Sequence, residues 1–361
     1  MSSRKEMRSA YLEWAKLHSG AKYNLATSGL DGFPLAQLPV KIEDLEISIG
    51  GSYGYPPLQE RLAKKNGVPA DCVVAANGTS MANHLAMAAL LDPSDEVLIE
   101  EPAYEPLLNV PEYLGARIRR FPRHFENGFA LDPQEVEKAI TPRTRLIVVT
   151  NLHNPTGARA SDSQLRAIGD IAKKSGAYVL VDEVYLDACF DPNARSAFHL
   201  GENFIVTSSL TKAFGLSGLR CGWVLAPPPL AERMWRINDL YGVIPAHVAE
   251  LLSVIALDHL DKISDYARSR LQTNRPILQR FLDSRRDLAA IPANGTTTFP
   301  RLASGNVGAL CRLLREKYET SVVPGRFFEM PAHFRIGIGG KTELLEEGLR
   351  RLGCAVDELH S

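Results

Sequence analysis

The chain reads as an α/β protein, with a large domain built on a mostly parallel sheet and a smaller α+β unit attached. Three observations lead there. At 361 residues the chain is long for one ordinary core, so two domains are expected. From about residue 70 to 225, short β-branched runs alternate with helical patterns, the order of a sheet covered by helices. After residue 227 that alternation stops and long helical stretches take over.

The elements follow in chain order. Met7, Tyr11, Trp14 and Leu17 fall at helical spacing, so an amphipathic helix opens the chain. The same segment lacks the apolar core of a secretory signal. CVVAA (72–76), EVLIE (96–100), RLIVVT (145–150), AYVLVDE (177–183), FIVTSS (204–209) and RCGWVLA (220–226) read as strands. Several are apolar almost throughout, as in strands buried on both faces. Helical patterns lie between them at 80–91, 132–140 and 161–176, the last with Ser161 as N-cap and Gly176 as its stop. Three prolines at 227–229 break the chain. Helical stretches at 230–240 and 245–286 follow, then TTFPRL (297–302), a helix near 306–318, SVV (321–323), FRIGIG (334–339) and a last helix from Thr342. The division expected is 46–260 for the large domain and 1–45 with 261–361 for the small one.

Composition narrows the function classes. Hydrophobic residues make up 45% and charged residues 23%, with net charge −1, which argues neither for nucleic acid nor for an anionic membrane surface. No stretch approaches the roughly 20 apolar residues of a membrane span. The five cysteines are scattered and form no C-x-x-C pair, a pattern suited to a reducing cytoplasm. Cys72, Cys189 and Cys221 sit in apolar runs and are expected to be buried. No metal site is expected.

Chemistry concentrates where strands end. Lys212 lies just past a strand, in SSLTKAFGLSGLRCGW (208–223), among hydroxyls and glycines. Ser209, Thr211 and Arg220 offer donors that converge on a phosphate, though a lone lysine there would read as a surface residue. Asp182 ends the strand AYVLV, where open α/β sheets place ligands, and Tyr185 follows three residues on. A buried carboxylate needs a cationic partner to stay ionised; an exposed acidic turn is the plainer alternative. Asn154-Pro155-Thr156-Gly157 follows the strand ending at Thr150 and reads equally as an ordinary turn. Gly78, Thr79 and Ser80 open a helix, whose free N–H groups suit an anion or whose hydroxyls serve as its cap. Tyr104 follows the strand EVLIE and is either a stacking ring or a core aromatic. Arg335 lies on a late strand, suited to a bidentate grip on a carboxylate or to a surface.

Together these residues supply what pyridoxal 5′-phosphate requires. Lys212 forms a Schiff base with the aldehyde, and Asp182 holds the ring nitrogen protonated. Asn154 and Tyr185 donate to the ring hydroxyl oxygen, Tyr104 covers the ring, and the remaining hydroxyls with Arg220 take the phosphate.

The motifs G-T-S, P-A-Y, N-P-T-G, D-E-x-Y, S-x-T-K-x-x-G-L-x-G-x-R-x-G and R-I-x-x-G occur in the order of the class I/II aminotransferases. The chain resembles that family of fold-type I enzymes from about residue 45 to 350. The resemblance implies a seven-stranded sheet, a homodimer, and Lys212 as the proton shuttle. It implies that Gly78, Thr79, Ser80, Ser209 and Arg220 hold phosphate, with Arg335, Asn154, Ser28 and Gly29 on the substrate side. In GGSYGYPPLQERLA (50–63) either Tyr53 or Tyr55 stands for the family tyrosine that reaches the neighbouring subunit's phosphate. The loop INDLYGVIP (237–245) contains no arginine, although Arg236 precedes it, so strict aspartate specificity is not implied. Transamination between an amino acid and a 2-oxo acid is the activity expected. A C–S/β-lyase or cyclase is the alternative, and a regulatory protein that binds the cofactor is a remote one.

Overall fold

The computed structural model describes residues 7–48, 50, 52–292 and 294–360. Gly51 of the 50–63 motif and residues 1–6 of the expected small domain lie outside them.

A sheet of seven strands occupies the centre. They are β1 (Val73–Asn77), β2 (Glu96–Glu101), β3 (Arg117–Pro122), β4 (Thr144–Thr150), β5 (Tyr178–Asp182), β6 (Phe204–Ser209) and β7 (Cys221–Leu225). Their spatial order is β1-β7-β6-β5-β4-β2-β3. Neighbours pair in parallel except β7, which is antiparallel to both β1 and β6. Flanked that way, β7 leaves β1 running in the direction of β6. The carboxyl ends of β1, β2, β4, β5 and β6 and the amino end of β7 therefore share one edge.

Helices are α1 (Ala10–Leu17), α2 (Pro56–Asn66), α3 (Gly78–Leu90), α4 (Pro106–Tyr113), α5 (Pro133–Ala139), α6 (Asp162–Lys174), α7 (Pro228–Asn238), α8 (His247–Asp258), α9 (Leu260–Asp283), α10 (Val307–Tyr318) and α11 (Thr342–His360). The central strands are apolar throughout because both faces are covered: Leu146, Ile147, Val148 and Val149 are all fully buried. Each such side chain contributes about 1.5–3 kcal/mol. On α3, Ala82, Leu85, Ala86 and Ala89 recur at helical spacing and are buried, and the three alanines let the helix lie close to the sheet. α6 starts in a capping box: Ser161 Oγ accepts the Gln164 N–H, and Gln164 returns the bond to the Ser161 N–H.

Several sequence expectations are corrected. Strand β3, RIRRFP, has no counterpart among the strands read from sequence. It is an edge strand, with Arg117 and Arg119 exposed and Arg120 folded back onto the Ile99 and Glu100 carbonyls, so no apolar run marks it. The prolines at 227–229 do separate strand from helix, but the helix expected from 230 starts earlier: Pro228 and Pro229 begin α7, where a missing N–H costs nothing. The stretch 245–286 is two helices, divided at His259. Neither Thr79 nor Ser80 caps α3, which starts at Gly78. Cys72 and Cys221 are buried, but Cys189 is only partly so. Among the described residues, no helix is long and apolar enough to cross a membrane.

Beyond the sheet, Phe334–Gly337 pairs antiparallel with Thr297–Thr298 and with Val323–Pro324. Tyr23–Asn24 runs parallel to Thr320–Ser321. The segment after Asn24 then presses onto the strand: Gly337 N–H donates to Leu25 O at 2.7 Å, and a Cβ on Gly337 would stand 1.6 Å from Thr27 O. Only glycine permits this approach, and it carries Thr27 and Ser28 to the sheet edge. Gly337→Ala is expected to lower stability by about 1–3 kcal/mol, read from the urea midpoint. An unchanged midpoint would contradict the close packing.

Candidate active site

Because the sheet directs its loops to one edge, side chains distant in sequence meet there around a cavity of about 290 Å³. Thr79, Ser80, Tyr104, Asn154, Asp182, Tyr185, Ser209, Lys212 and Arg220 all line it, as sequence reasoning anticipated. Asn83, Thr150, Thr211 and Ser28 line it with them.

Asp182 closes β5 with its carboxylate 4% exposed. Asn83 Nδ2 donates to it at 2.8 Å and the Val184 N–H at 3.1 Å. Thr207 Oγ1 donates to Asn83 Oδ1 at 2.6 Å, which fixes the amide so that its NH₂ end faces Asp182. Burial pushes the carboxyl up to about 6, while the Asn83 and Val184 bonds restrain the rise. Lys212, just past β6, is shifted the other way. Burial lowers its amine to about 8, the Arg335 and Arg220 charges add to that, and Asp182 opposes it. A methyl on Gly29 would stand 3.2 Å from Lys212 Cδ, so Gly29 gives the lysine stem its room.

At the start of α3, Gly78 adopts φ +73°, and a Cβ there would meet the Arg220 guanidinium at 2.3 Å. The Gly78 N–H donates to Arg220 O at 2.7 Å, joining the two loops. Thr79 Oγ1 and Thr211 Oγ1 are buried without a hydrogen-bond partner among the described residues. Orphaned hydroxyls, a guanidinium and a helix N-terminus form a donor set that a phosphate satisfies. A pyridine N–H likewise suits the buried Asp182 carboxylate. The residues present therefore fit pyridoxal 5′-phosphate.

On the other side, Asn154 Oδ1 accepts from Arg335 Nη1 at 2.9 Å. Arg335 is fully buried and stands one layer behind the cavity wall, where Nη2 donates to Tyr11 Oη at 2.9 Å and to Ala26 O at 3.1 Å. Tyr185 Oη donates to Ser28 Oγ at 2.9 Å, and burial pushes the phenol up to about 12. Tyr104 meets Tyr11 edge to face, with ring centres 5.7 Å apart. Helix α1 supplies Tyr11, Leu12, Trp14 and Ala15 to the wall. Its first turn is tied down by Glu105, which accepts from Ser9 Oγ, from Ala10 N at 3.2 Å and from Tyr11 N at 2.8 Å.

The tyrosines read for a neighbouring subunit's site, and the arginine before the 237–245 loop, stand apart from this chain's own cavity. Tyr53 donates to Asp239 at 3.1 Å, Tyr55 packs edge-on to His247, and Arg236 pairs with Glu232; none lines the cavity. Sequence reasoning gave no role to Asn83, Thr150 or Tyr11. Asn83 stands one helical turn past Thr79, a spacing that would have flagged it. Tyr11 belonged to an amphipathic helix and read as core.

The chain is similar to known proteins over most of its length. The sequence model described as Aminotransferase class I and II matches residues 45–352. Capreomycidine synthase of Streptomyces vinaceus is 31% identical over 344 residues, covering 91% of this chain and 88% of its own. A probable aspartate/prephenate aminotransferase of Thermus aquaticus is 30% identical over 319 residues, 84% of this chain and 82% of its own. The crystal structure of a PLP-dependent aminotransferase from Streptococcus suis 89-1591 superposes with a TM-score of 0.93 at 27% identity, covering 99% of each chain.

The Lys212 amine reacts when neutral, so raising the pH raises the reactive fraction until the amine is fully deprotonated. Cofactor-free protein mixed with pyridoxal 5′-phosphate is expected to capture the aldehyde at a rate that climbs with pH and levels off above about 8, followed by visible absorbance. A rate still climbing towards the ordinary lysine value of about 10.4 would contradict the shift.

Proposed function

The chain belongs to the class I and II aminotransferase family, and from that premise we propose that it holds pyridoxal 5′-phosphate on Lys212 and moves an amino group between an amino acid and a 2-oxo acid. The observation that carries this reading is the meeting of Lys212, Asp182 and the unpartnered hydroxyls of Thr79 and Thr211 in one cavity.

When bound, the cofactor supplies an aldehyde that takes up the amine and a ring that accepts the electrons released as the α-proton leaves. The chain's own groups do the rest. Asp182 holds the ring nitrogen's proton, and the Asn83 amide keeps that carboxylate aimed. Thr79, Ser80, Ser209, Thr211 and Arg220 hold the phosphate, and Gly78 leaves Arg220 its space. Tyr185 and the Nδ2 end of Asn154 donate to the ring oxygen, and Tyr104 covers the ring. Lys212, with its amine near 8, would take the proton from the α-carbon and return it to the carbon on the far side of the nitrogen, a 1,3-shift. Arg335 takes the α-carboxylate at Nη2, where Tyr11 Oη and Ala26 O now accept. In the division 46–260 and 1–45 with 261–361, Lys212 and Arg335 stand on different units, so a substrate that bridges them draws the two together.

The reading carries with it a homodimer, with no nucleic-acid or membrane partner. Five free cysteines support a reducing cytoplasm. A second reading, β-elimination or cyclisation, is favoured by the likeness to capreomycidine synthase, a synthase by name rather than a transaminase.

An amino donor alone is expected to convert the holoenzyme's absorbance to that of the pyridoxamine form, and a 2-oxo acid to reverse it, with ping-pong kinetics. Lys212→Ala should slow that half-reaction by a factor of about 10²–10⁴. Pyruvate and ammonia, or a cyclic product, released from a single amino acid without that reversal would replace transamination with the second reading.

A further inference from the structure

Beneath the site lies a fully buried ion pair that no step above uses. Arg123 Nη1 donates to Glu100 Oε2 at 2.8 Å, with both side chains at 0% exposure. Arg123 Nε donates to Phe129 O at 2.7 Å, while its Nη2 has no partner among the described residues. Glu100 Oε1 accepts from the Thr150 N–H at 2.6 Å and from Thr150 Oγ1 at 2.7 Å. His153, 3.7 Å from Glu100, is buried and held neutral, with its ring nitrogens on Pro102 O and Thr156 Oγ1.

Such a pair is a poor stabiliser. Desolvating it costs several kcal/mol per ion, and shape-matched apolar residues often do as well or better. Its geometry suggests a different use. A threonine hydroxyl has one proton. The Thr150 hydroxyl donates it to Glu100, which leaves the Thr150 oxygen free to accept, and it accepts the Asn154 N–H at 3.1 Å. Asn154 in turn holds Arg335 through Oδ1 at 2.9 Å. The series Arg123, Glu100, Thr150, Asn154, Arg335 is continuous, and each bond sets the direction of the next.

We propose that Glu100, held in place by Arg123, is a positioning residue for Asn154 and through it for the Arg335 grip on the substrate α-carboxylate. This rests on the carboxylate role given to Arg335 above. An apolar side chain at position 100 offers no acceptor and frees the Thr150 hydroxyl to rotate, and the Asn154 peptide loses its fixed acceptor.

The test uses holoenzyme of the wild type, Thr150→Val, Thr150→Ser and the double variant Glu100→Leu with Arg123→Met. The last removes both charges at once, so no lone buried charge remains. The probe is 2-aminoisobutyrate, which carries the amine and carboxylate but no α-proton, titrated by cofactor absorbance. Thr150→Val and the double variant are expected to weaken its binding about tenfold, the loss of roughly one hydrogen bond. Thr150→Ser should bind like the wild type, and in every variant any loss of cofactor affinity should be smaller than the loss for the probe, since Lys212 and the phosphate donors hold the cofactor besides Asn154. Folded variants that bind the probe as the wild type does would overturn the proposal. So would a Thr150→Val protein that loses cofactor and probe equally, or a Thr150→Ser protein as weak as Thr150→Val. A wild type that ignores the probe would overturn it by removing the Arg335 grip itself. Failure of the transaminase reading shows separately, as a wild type that binds the probe yet gives no reversible half-reaction.

Discussion

A carboxylate sealed at the end of a central strand sets the terms for everything around it. Asp182 is cut off from water, and the Asn83 amide and the Val184 N–H only partly compensate its charge. It stays ionised at neutral pH because burial lifts it only to about 6. Lys212 shares the same enclosure and is pulled in the opposite direction, to about 8. Two opposite charges, each marginal, are thus held where a ring nitrogen and an aldehyde can meet them. The sheet order makes this possible: β5 and β6 lie side by side in the middle, with the α3 N-terminus above them. The antiparallel β7 returns Arg220 to the same edge.

The substrate side follows a different logic. Arg335 comes from a strand outside the central sheet, and it reaches the site only because Gly337 allows the segment after Asn24 to lie on that strand. Helix α1 then covers the approach, tied by Glu105 to the loop that bears Tyr104. The wall that α1 presents is Tyr11, Leu12, Trp14 and Ala15, aromatic and apolar. The charged side chains that line the cavity, Asp182, Lys212 and Arg220, all have assigned cofactor work.

Much of this was legible in the sequence, for a physical reason. Strands covered on both faces must be apolar throughout, so β4, β5 and β6 stood out, and ligands of such sheets gather past the carboxyl ends. Asp182, Asn154 and Lys212 could therefore be placed by counting from strand ends. The edge strand β3 could not, because three of its six residues are arginines and mask the pattern. Asn83, Thr150 and Tyr11 escaped for another reason. Their partners are Asp182, Glu100 and Arg335, separated from them by 99, 50 and 324 positions, and only the folded chain brings those pairs together. Arg335 was singled out from its strand, but its place behind Tyr11 depends on a helix at the opposite end of the chain.

The account turns on one bond, between Lys212 and the cofactor's aldehyde carbon. Borohydride reduction of the holoenzyme makes that bond permanent, and digestion followed by mass spectrometry locates it. The pyridoxyl phosphate mass is expected on the peptide containing Lys212, at close to one per chain. Finding it on another lysine, or on none, would contradict the assignment.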